Sequence, residues 1–361
     1  MARVRLDQED VGHLRTGAMF LACAADPGWC SDQAERVQAH IETFRIEPEI
    51  RQVEDFAPED LIVALGFVNN GLPLSDLRPV GDEFAKSLAL VENALGRRAA
   101  GVMPLAAANV NAIAPVLSAL QLGLPVVDAD PMGRVFPLLY QSVLTLAGCS
   151  AGPVGTTGAI GESALIEVES PRRAERLVRA LAGEFGGWSA NALYPVSARQ
   201  LAEHGVLRSV SRMVRIGRLL ESSRSVAAKH AALRTSEGVR RIIRARVSDV
   251  AGLSRPAPPG QPDNPSSVVF IEQAHERLVQ LEIQNELLML MVDGVVEAVV
   301  PDIITLLRPE DGSVASLEDL WVGNTLDIVV LPAAQQWYTP EGMALVGPAA
   351  LNIWVRGRAI R

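Results

Sequence analysis

Lysine is almost absent from this sequence. Lys86 and Lys229 are the only two lysines among 33 basic residues, so arginine carries nearly all of the positive charge. Arginine keeps its proton near neutral pH and is a poor Schiff-base former, so a covalent lysine mechanism has two candidates. Aromatic residues are also few, at 4% of the chain, although 48% of the residues are hydrophobic. The core must therefore consist mainly of Ala, Val, Leu and Ile, and a chain this apolar is not intrinsically disordered.

Cysteine is scarce as well. Cys23, Cys30 and Cys149 form neither a C-x-x-C pair nor a zinc-ribbon cluster. A small, odd number of cysteines is typical of a reducing compartment rather than of a disulfide scaffold. The first ten residues are charged and contain no apolar signal-peptide segment. These features predict a cytoplasmic protein.

One stretch, residues 99–127, carries no charge and is long enough on length alone to cross a bilayer. Three prolines, two asparagines and a glutamine interrupt it. This composition favours a buried strand, helix and strand over a membrane span. We therefore expect no membrane partner.

The formal net charge is −9, which argues against electrostatic binding to nucleic acid. Residues 208–246 are locally basic, because the segment contains ten arginines and Lys229 but only two glutamates. Arg208, Arg212 and Arg215 fall on one helical stripe. Since no aromatic residues are interleaved, we interpret the stripe as a solvated helix face that docks against an acidic surface or a second subunit. Nucleic acid is the weaker alternative.

The first half of the chain alternates short apolar runs with helical patterns. The runs 61–68, 99–103 and 124–127 predict buried strands, and the segments 82–95 and 109–122 predict the helices between them. Alternating strands and helices with short links predict a parallel sheet with right-handed crossovers. We expect an α/β domain with a mainly parallel sheet over residues 1–168.

The second half, residues 169–361, has a different pattern. Helical periodicity extends to about His230, and after a Pro- and Gly-rich linker the chain continues in short β-like runs. These runs are 268–272, 278–283, 287–292, 295–300, 303–307 and 326–331. Asp293-Gly294 predicts a hairpin turn between two of them. The second half is therefore expected to be an α+β, strand-rich domain.

In open α/β sheets, ligands bind beyond the carboxyl ends of the strands. The loops 69–73, 104–109 and 128–134 are predicted to lie there, and they supply amides, carboxylates and one arginine. The residues assigned to ligand binding are Asn69, Asn70, Asn109 and Gly133. The ligand is expected to be a small molecule.

Asp128, Asp130 and Arg134 carry the catalytic prediction. Two carboxylates two residues apart could hold a divalent metal, or one could act as a base while the other stays charged. Arg134, after a flexible glycine, could clamp an anionic group. The alternative is a turn in which both carboxylates cap neighbouring amides and Arg134 pairs with them. The sequence identifies no particular metal or other cofactor.

The segment 151–162 is rich in glycine and threonine. Its amides could face a phosphate or an oxyanion. It matches neither G-x-G-x-x-G nor G-x-x-x-x-G-K-[ST], so it is a weak nucleotide signal. We interpret it as a connecting loop.

Several ordered motifs, spread over nearly the whole chain, resemble the DUF917 family, also called the S-methyl-thiohydantoin desulfurase family. They are Leu124 to Asp130 followed by Met132 to Pro137, then Ala192 to Ser197, Ile283 to Glu286, Val300 to Ile304 and Thr339 to Pro348. Asp128, Asp130 and Arg134 match the D-x-D-x-x-G-R element of that family. The resemblance covers about residues 6–354.

The resemblance implies an α/β domain followed by a β-containing domain. It also implies chemistry on small cyclic amides such as hydantoins, thiohydantoins or oxoproline-like rings. Members of the family occur beside or fused to hydantoinase and oxoprolinase subunits. A homo-oligomer, or a hetero-oligomer with a paralogous or hydantoinase-type subunit, is therefore expected.

Two segments depart from the family pattern. A glycine run before Asp-Pro is replaced by Ala22-Cys23-Ala24-Ala25, and a Glu-x-Gly-Gly-x-Asn element is replaced by residues 104–109, which keep Asn109 alone. Alanine does not readily adopt the positive φ angles that glycine allows, and a missing glutamate removes a base or metal ligand. The chain is thus expected to be either a hydrolase-like enzyme or a catalytically degenerate partner subunit.

Overall fold

The computed structural model describes residues 4–24, 28–69, 78–251, 266–284 and 286–353 of the chain. The first sheet has eight strands in the order β1-β2-β5-β4-β3-β9-β7-β8. Their bounds are β1 Val4–Arg5, β2 Glu49–Arg51, β3 Leu61–Asn69, β4 Ala99–Pro104, β5 Val126–Val127, β7 Val154–Gly158, β8 Ser163–Ile166 and β9 Trp188–Ser197. The four strands β2, β5, β4 and β3 are parallel, and the flanking strands pair antiparallel.

The described residues also form α-helices and a further, two-stranded sheet. The helices are α1 Gln8–Leu21, α2 Gly28–Phe44, α3 Glu83–Leu95, α4 Asn109–Leu122, α5 Val143–Leu146, α6 Pro171–Glu184, α7 Ala198–His204, α8 Ser209–Glu221, α9 Val226–Glu237 and α10 Pro340–Val346. A separate two-stranded ribbon pairs β6 (Ala129–Asp130) with β10 (Val206–Leu207). This ribbon brings the start of α8 next to the loop that carries Asp130.

The predicted α/β pattern of the first half is confirmed. β3 is buried along its apolar run, and α4 occupies the range predicted from periodicity. The uncharged stretch 99–127 folds as β4, α4 and β5. Within the described residues, no helix is both long and apolar enough to span a membrane.

The expectation that 151–162 is a connecting loop is wrong for its central part. Residues 154–158 form the buried strand β7, and a Cβ on Gly155 would lie 2.0 Å from the carbonyl oxygen of Ser87. The glycine therefore lets the strand pack against α3 rather than exposing amides to a ligand. Strand β9, from beyond residue 168, pairs with both β7 and β3. The first sheet thus takes strands from both sides of the predicted boundary at 168, which stays a prediction.

The second sheet has seven antiparallel strands in the order β15-β14-β13-β12-β11-β17-β16. Their bounds are β11 Arg241–Ala251, β12 Ser266–Glu272, β13 Leu278–Ile283, β14 Leu287–Val292, β15 Val295–Val299, β16 Ile303–Leu307 and β17 Thr325–Leu331. Asp293 and Gly294 have φ angles of 48° and 76° between β14 and β15, as a type I′ hairpin requires. The strand-rich expectation is confirmed, and β11 is an additional strand that the sequence patterns did not predict.

Helices α1 and α8 cross at two glycines. A Cβ on Gly17 would lie 1.9 Å from the carbonyl oxygen of Met213, and a Cβ on Gly217 would lie 1.8 Å from that of His13. Both distances are far inside van der Waals contact, so the two backbones touch where no other residue type fits. The crossing fixes the end of α1 relative to the start of α8.

Candidate functional site

The carboxyl ends of β3 and β4 lie at one edge of the first sheet, and the turn after β6 lies against the loop after β4. The Asn111 side chain accepts a hydrogen bond from the Phe67 amide at 2.7 Å and donates to the Phe67 carbonyl at 3.2 Å. The Ala107 amide donates to Asp130 Oδ2 at 3.0 Å. The loops 104–109 and 128–134 expected from the sequence therefore meet in the structure, and the loop 69–73 lies outside the described residues apart from Asn69.

Asp130 is completely buried in this edge. Its Oδ2 accepts hydrogen bonds from the amides of Ala107, Met132 and Gly133 at 2.7 to 3.0 Å. Burial raises the pKa of Asp130 to about 6, although these amides and the nearby Ser209 hydroxyl lower it in part. Asp130 Oδ1 has no hydrogen-bond partner among the described residues. The carboxyl group is therefore held firmly by one oxygen and keeps the other for a further interaction.

Asp128 has a different role. Its carboxylate accepts a hydrogen bond from the Ser211 amide at 2.9 Å and another from the Ser211 hydroxyl. The residue before α8, Arg208, has a φ of 63° and provides no side-chain cap. Asp128 therefore caps the first turn of α8 from a distant part of the chain. The two carboxylates therefore have different hydrogen-bond partners, and both accept from backbone amides, as in the structural alternative.

Arg134 is also fully buried, but it does not pair with either aspartate. Its Nε donates to the Val135 carbonyl at 2.9 Å, and its Nη1 donates to the carbonyls of Pro301 and Asp302 at 3.1 and 2.6 Å. The guanidinium carbon lies 4.9 Å from the centre of the Phe136 ring. Arg134 therefore ties the loop after β6 to the second sheet, and a role in clamping an anion stays a prediction.

The predicted ligand-binding residues lie at different depths. Asn69 Oδ1 is buried without a partner among the described residues, and the Asn69 carbonyl accepts a 2.5 Å hydrogen bond from Arg179. Asn109 begins α4 with a φ of 46°, and its Oδ1 accepts from the Asn111 amide at 3.0 Å. Gly133 has a φ of 72° and takes part in the cavity wall. Asn70 lies outside the described residues.

A cavity of about 250 Å³ lies against Ala107 and Gly133, two of the residues that hold Asp130, while Asp130 itself is buried behind its wall. Its wall includes Leu21 from the end of α1, Ala107 from the loop after β4, Gly133 from the loop after β6, Ser209 and Arg212 from α8, and residues 332–335 after β17. Ala107 and Gly133 are the residues whose amides hold the Asp130 carboxylate. The inner wall of the cavity is therefore built on the Asp130 turn.

Ser209 and Arg212 were not predicted from the sequence. Ser209 is 2% exposed, and its hydroxyl lies near enough to Asp130 to lower the pKa of that carboxyl group, although its Oγ has no partner at normal hydrogen-bond geometry among the described residues. Arg212 Nε donates to the Glu237 carboxylate at 2.8 Å. The local sequence could have indicated Arg212 only as part of a charged helical stripe. Its place on the cavity wall depends on the crossing of α8 with α1.

The arginine stripe on α8 meets carboxylates of the same chain. Arg208 pairs with Glu54, and Arg212 and Arg215 both pair with Glu237. Glu237 is buried, with 1% of its side chain exposed. Carboxylates of the same chain therefore lie against this helix face, and docking of an acidic partner surface or a second subunit there stays a prediction.

The segment that replaces the expected glycine run still has a left-handed backbone. Cys23 and Ala24 have φ angles of 52° and 66°. Their carbonyls accept hydrogen bonds from Leu287 at 3.0 Å and Leu317 at 3.1 Å, both in the second half of the chain. These contacts keep the geometry that glycine adopts at no steric cost. The loss of the glycines therefore changes the backbone at Cys23 and Ala24 less than the sequence suggested.

We expect glycine to be tolerated at Ala24 but not at Ala106, although both side chains are 2% exposed. A left-handed alanine costs roughly 1–2 kcal/mol. Glycine at position 24 removes this cost, and the gain should offset the lost burial of the methyl group and the added freedom of the unfolded chain. Ala24→Gly should change the free energy of unfolding by less than about 0.5 kcal/mol, and Ala106→Gly should lower it by about 1–2 kcal/mol. Urea denaturation measures both, and equal losses would show that the left-handed backbone at Ala24 carries no strain.

Glu286 lies buried near Cys23 and Arg134. Burial raises the pKa of Glu286 to about 7, although Arg134 lowers it in part. Burial also raises the pKa of the Cys23 thiol, with Arg134 lowering it and Glu286 raising it. Glu286 Oε1 and Arg134 Nη2 have no hydrogen-bond partner among the described residues. At neutral pH, Glu286 is about half protonated.

This raised pKa predicts how stability varies with pH. Between about pH 4 and pH 7 the folded protein keeps a proton on Glu286 that the unfolded chain has lost, so stability falls as the pH rises through this window. Glu286→Gln should reduce this loss of unfolding free energy by up to about 3 kcal/mol. The free energy of unfolding at pH 5 and pH 8 measures this for both proteins. The assignment of Glu286 fails if the variant loses as much stability between these pH values as the natural sequence.

No group of three or more His, Cys, Asp or Glu side chains within the described ranges is arranged to hold a metal ion. At the Asp130 turn, Oδ2 is already occupied by three amides. The divalent metal predicted from the spacing of the aspartates therefore stays a prediction from sequence.

Comparisons with known proteins agree with this architecture. The S-Me-THD-like N-terminal domain matches residues 9–168, and the S-Me-THD-like C-terminal domain matches residues 169–357. A crystal structure of a protein from Chromobacterium violaceum, a structural-genomics target, resembles 94% of this chain and 95% of its own, with a TM-score of 0.74. Its sequence identity is 22%, so this likeness concerns the fold. No curated protein matches the sequence.

Proposed function

Because the chain belongs to the S-Me-THD-like family, we propose that it hydrolyses a small cyclic amide of the thiohydantoin or hydantoin type in the cavity beside Asp130. The observation that carries the proposal is the Asp130 carboxyl group. One of its oxygens is fixed by three amides, the other has no partner among the described residues, and its pKa is about 6. A carboxylate with a pKa close to neutral is suited to accept and return a proton.

The chemistry requires few groups. A water molecule at the inner wall gives a proton to Asp130 Oδ1 as its oxygen attacks the ring carbon. The Ser209 hydroxyl and the Arg212 guanidinium are placed to stabilise the negative charge that develops on the ring. For an S-methyl-thiohydantoin, the C–O bond forms as the ring C=N bond becomes a single bond. The C–S bond then breaks, the departing thiolate takes the proton from Asp130, and the second proton of the water moves to the ring nitrogen. The products are a hydantoin and methanethiol.

The size of the cavity favours a small ring. Its volume of about 250 Å³ lies just below the roughly 300–1,000 Å³ of pockets that bind drug-sized ligands. The wall combines the apolar side chains of Leu21, Val206 and Leu207 with the polar Ser209 and Arg212. An apolar wall with a few polar groups is the usual composition of a small-molecule site.

The proposal is tested with the purified chain and two ring substrates. Release of methanethiol from S-methyl-thiohydantoin is followed with a thiol reagent, and opening of hydantoin is followed by proton NMR. We expect many turnovers per protein molecule with at least one of the two rings, and a lower rate in Ser209→Ala. If neither ring is converted and neither binds in calorimetry, the proposed function is wrong.

A second candidate is a catalytically degenerate partner subunit. Ala106 and Ala107 are buried where the resemblance places two glycines, and the glutamate of that element is missing. Under this alternative, the chain would bind a ring without converting it and would form an oligomer with an active paralogue or a hydantoinase-type subunit. Mixing the chain with such a subunit and measuring both turnover and mass distinguishes the two candidates. Turnover by the isolated chain excludes the second.

A further inference from the structure

We infer that Tyr338 is a positioning residue of the cavity, because its hydroxyl holds the outer wall, residues 332–335, in place and thereby sets the affinity for the ring. This inference rests on the proposed function and deepens it, since the outer wall belongs to the same cavity. Tyr338 is not among the described residues that line the cavity. It acts on the ligand only through the wall.

The outer wall depends on side-chain hydrogen bonds for its position. Pro332, Ala333 and Ala334 lie between the end of β17 and a 3₁₀ turn, Gln335–Tyr338, so no sheet ladder holds them. Ala333 is buried, and its amide donates to the Tyr338 hydroxyl at 3.0 Å. A buried amide requires a partner. Tyr338 provides one directly on the wall.

The Tyr338 hydroxyl is itself anchored on Asp302. It donates to Asp302 Oδ1, which also faces Arg240 Nη1 at 3.4 Å. Burial and the hydrogen bond to Asp302 raise the pKa of Tyr338 to about 12, so the hydroxyl keeps its proton at neutral pH. The Asp302 carbonyl accepts a 2.6 Å hydrogen bond from Arg134, which follows Gly133 of the inner wall. The two walls therefore share one anchor.

Two other hydrogen bonds hold the 3₁₀ turn rather than the wall. Trp337 Nε1 donates to the Met132 carbonyl at 2.8 Å, and Gln336 Nε2 donates to the Gly205 carbonyl at 3.3 Å. Both remain when the Tyr338 hydroxyl is removed. The turn should therefore stay docked while the wall before it shifts.

A displaced outer wall should change binding more than chemistry. A Cβ on Gly133 would lie 3.4 Å from the Ala334 methyl group, so the two walls approach each other closely there. The amides that hold Asp130 Oδ2 come from Ala107, Met132 and Gly133, and none of these residues belongs to the outer wall. Loss of contacts that substrate and transition state share raises KM and leaves kcat.

The experiment measures KM and kcat for Tyr338→Phe with the ring that the natural sequence converts faster. The residue is 36% exposed and loses one oxygen atom, so the substitution opens no cavity in the core. We expect KM to rise at least fivefold and kcat to stay within twofold. Asp302→Ala should act in the same direction. The double variant should exceed the larger single effect by less than twofold, because the two residues act as one unit.

Two variants provide matched controls. Tyr194→Phe removes a buried hydroxyl that donates to the Leu139 carbonyl at 3.0 Å, and neither residue is among the described lining of the cavity. Arg240→Met removes the other partner of Asp302 and leaves the Tyr338 contact. Both should keep KM within twofold. Thermal unfolding verifies that every variant is folded.

The remaining outcomes separate the two proposals. If Tyr338→Phe leaves KM unchanged, if Tyr194→Phe raises KM as much, or if the effects of the double variant multiply, the inference is overturned while the proposed function stands. Where a ring binds without being converted, the dissociation constant from calorimetry replaces KM. If the natural sequence neither converts nor binds a ring, the proposed function fails, and the inference fails with it.

Discussion

Asp130→Asn is expected to lower kcat/KM for ring hydrolysis by about 10²- to 10⁴-fold, the usual contribution of a general base. Asparagine has nearly the same shape as aspartate, and its carbonyl oxygen can still accept the hydrogen bonds from Ala107, Met132 and Gly133 that Oδ2 accepts now. The fold should therefore be retained, while the group that accepts a proton from water is lost.

The pH profile adds a second measurement. Since the pKa of Asp130 is about 6, the free-enzyme profile of kcat/KM should rise through a limb near this value as the carboxyl group loses its proton. In the asparagine variant, the residual activity should lack this limb. A variant that keeps the limb near pH 6 would show that another group is the base.

Asp128→Asn is the control for the catalytic assignment. Both Asp128 and Asp130 are buried aspartates on the same segment, but Asp128 is occupied by the Ser211 amide and hydroxyl at the first turn of α8. Weakening this cap should lower the free energy of unfolding by about 0.5–2 kcal/mol. The kcat per folded molecule should change much less than in Asp130→Asn. Equal losses of kcat would place both carboxylates in the catalytic machinery.

Gly217→Ala is expected to lower the free energy of unfolding by more than about 3 kcal/mol, above the usual range for overpacking. The new Cβ would lie 1.8 Å from the His13 carbonyl oxygen and 2.5 Å from its carbon. Because these are backbone atoms, no side-chain rotation relieves the overlap, and α8 must move away from α1. Gly17→Ala should act in the same way through the Met213 carbonyl.

Gly12→Ala is the matched control on α1. A Cβ at Gly12 would have its nearest neighbour 4.0 Å away, at the end of the Gln38 side chain. Replacing a glycine inside a helix with alanine should then raise stability by about 0.5–1 kcal/mol. The same chemical change should thus have opposite signs at Gly12 and Gly217 in urea or thermal denaturation. A loss below about 1 kcal/mol at Gly217 would show that the crossing adjusts readily.

The helix crossing also connects stability with function. Leu21 at the end of α1 and Ser209 and Arg212 at the start of α8 belong to the cavity wall. A displacement of α8 should therefore change the cavity as well as the fold. We expect Gly217→Ala to weaken ring binding at temperatures where the variant is still folded, and Gly12→Ala to leave it unchanged.

Much of the fold could be predicted from local patterns. The continuous apolar run of β3 and the helical periodicity of α4 gave their places within a residue or two. Strands β7 and β9 were missed, because glycine and threonine make up most of β7, and serine, asparagine, alanine and proline interrupt the apolar residues of β9, so hydrophobic periodicity gives little signal there. Strand β11 was missed because arginines alternate with its apolar residues inside a basic segment.

The candidate site could be predicted only in part. The loops 104–109 and 128–134 and the aspartate in the turn follow from strand order, since parallel strands end on the same side. The different roles of Asp128 and Asp130 do not follow, because their partners are Ser211 in one case and Ala107 in the other. The two aspartates have different roles because amides from different, distant parts of the chain donate hydrogen bonds to them.

By itself, the sequence determined the parallel strands β3, β4 and β5, most strands of the second sheet, the hairpin at Asp293-Gly294, the loops 104–109 and 128–134 and the family resemblance, because burial, turn chemistry and strand order are properties of short segments. The tertiary structure decided that Arg134 binds carbonyls of the second sheet, that Glu237 neutralises part of the arginine stripe, and that Ser209 and Arg212 face a cavity. These outcomes depend on where buried polar groups find partners, and such partners are set by long-range packing. The scarcity of lysine left arginine as the cation of the proposed site, and the crossing of α1 and α8 determined which arginine lines it.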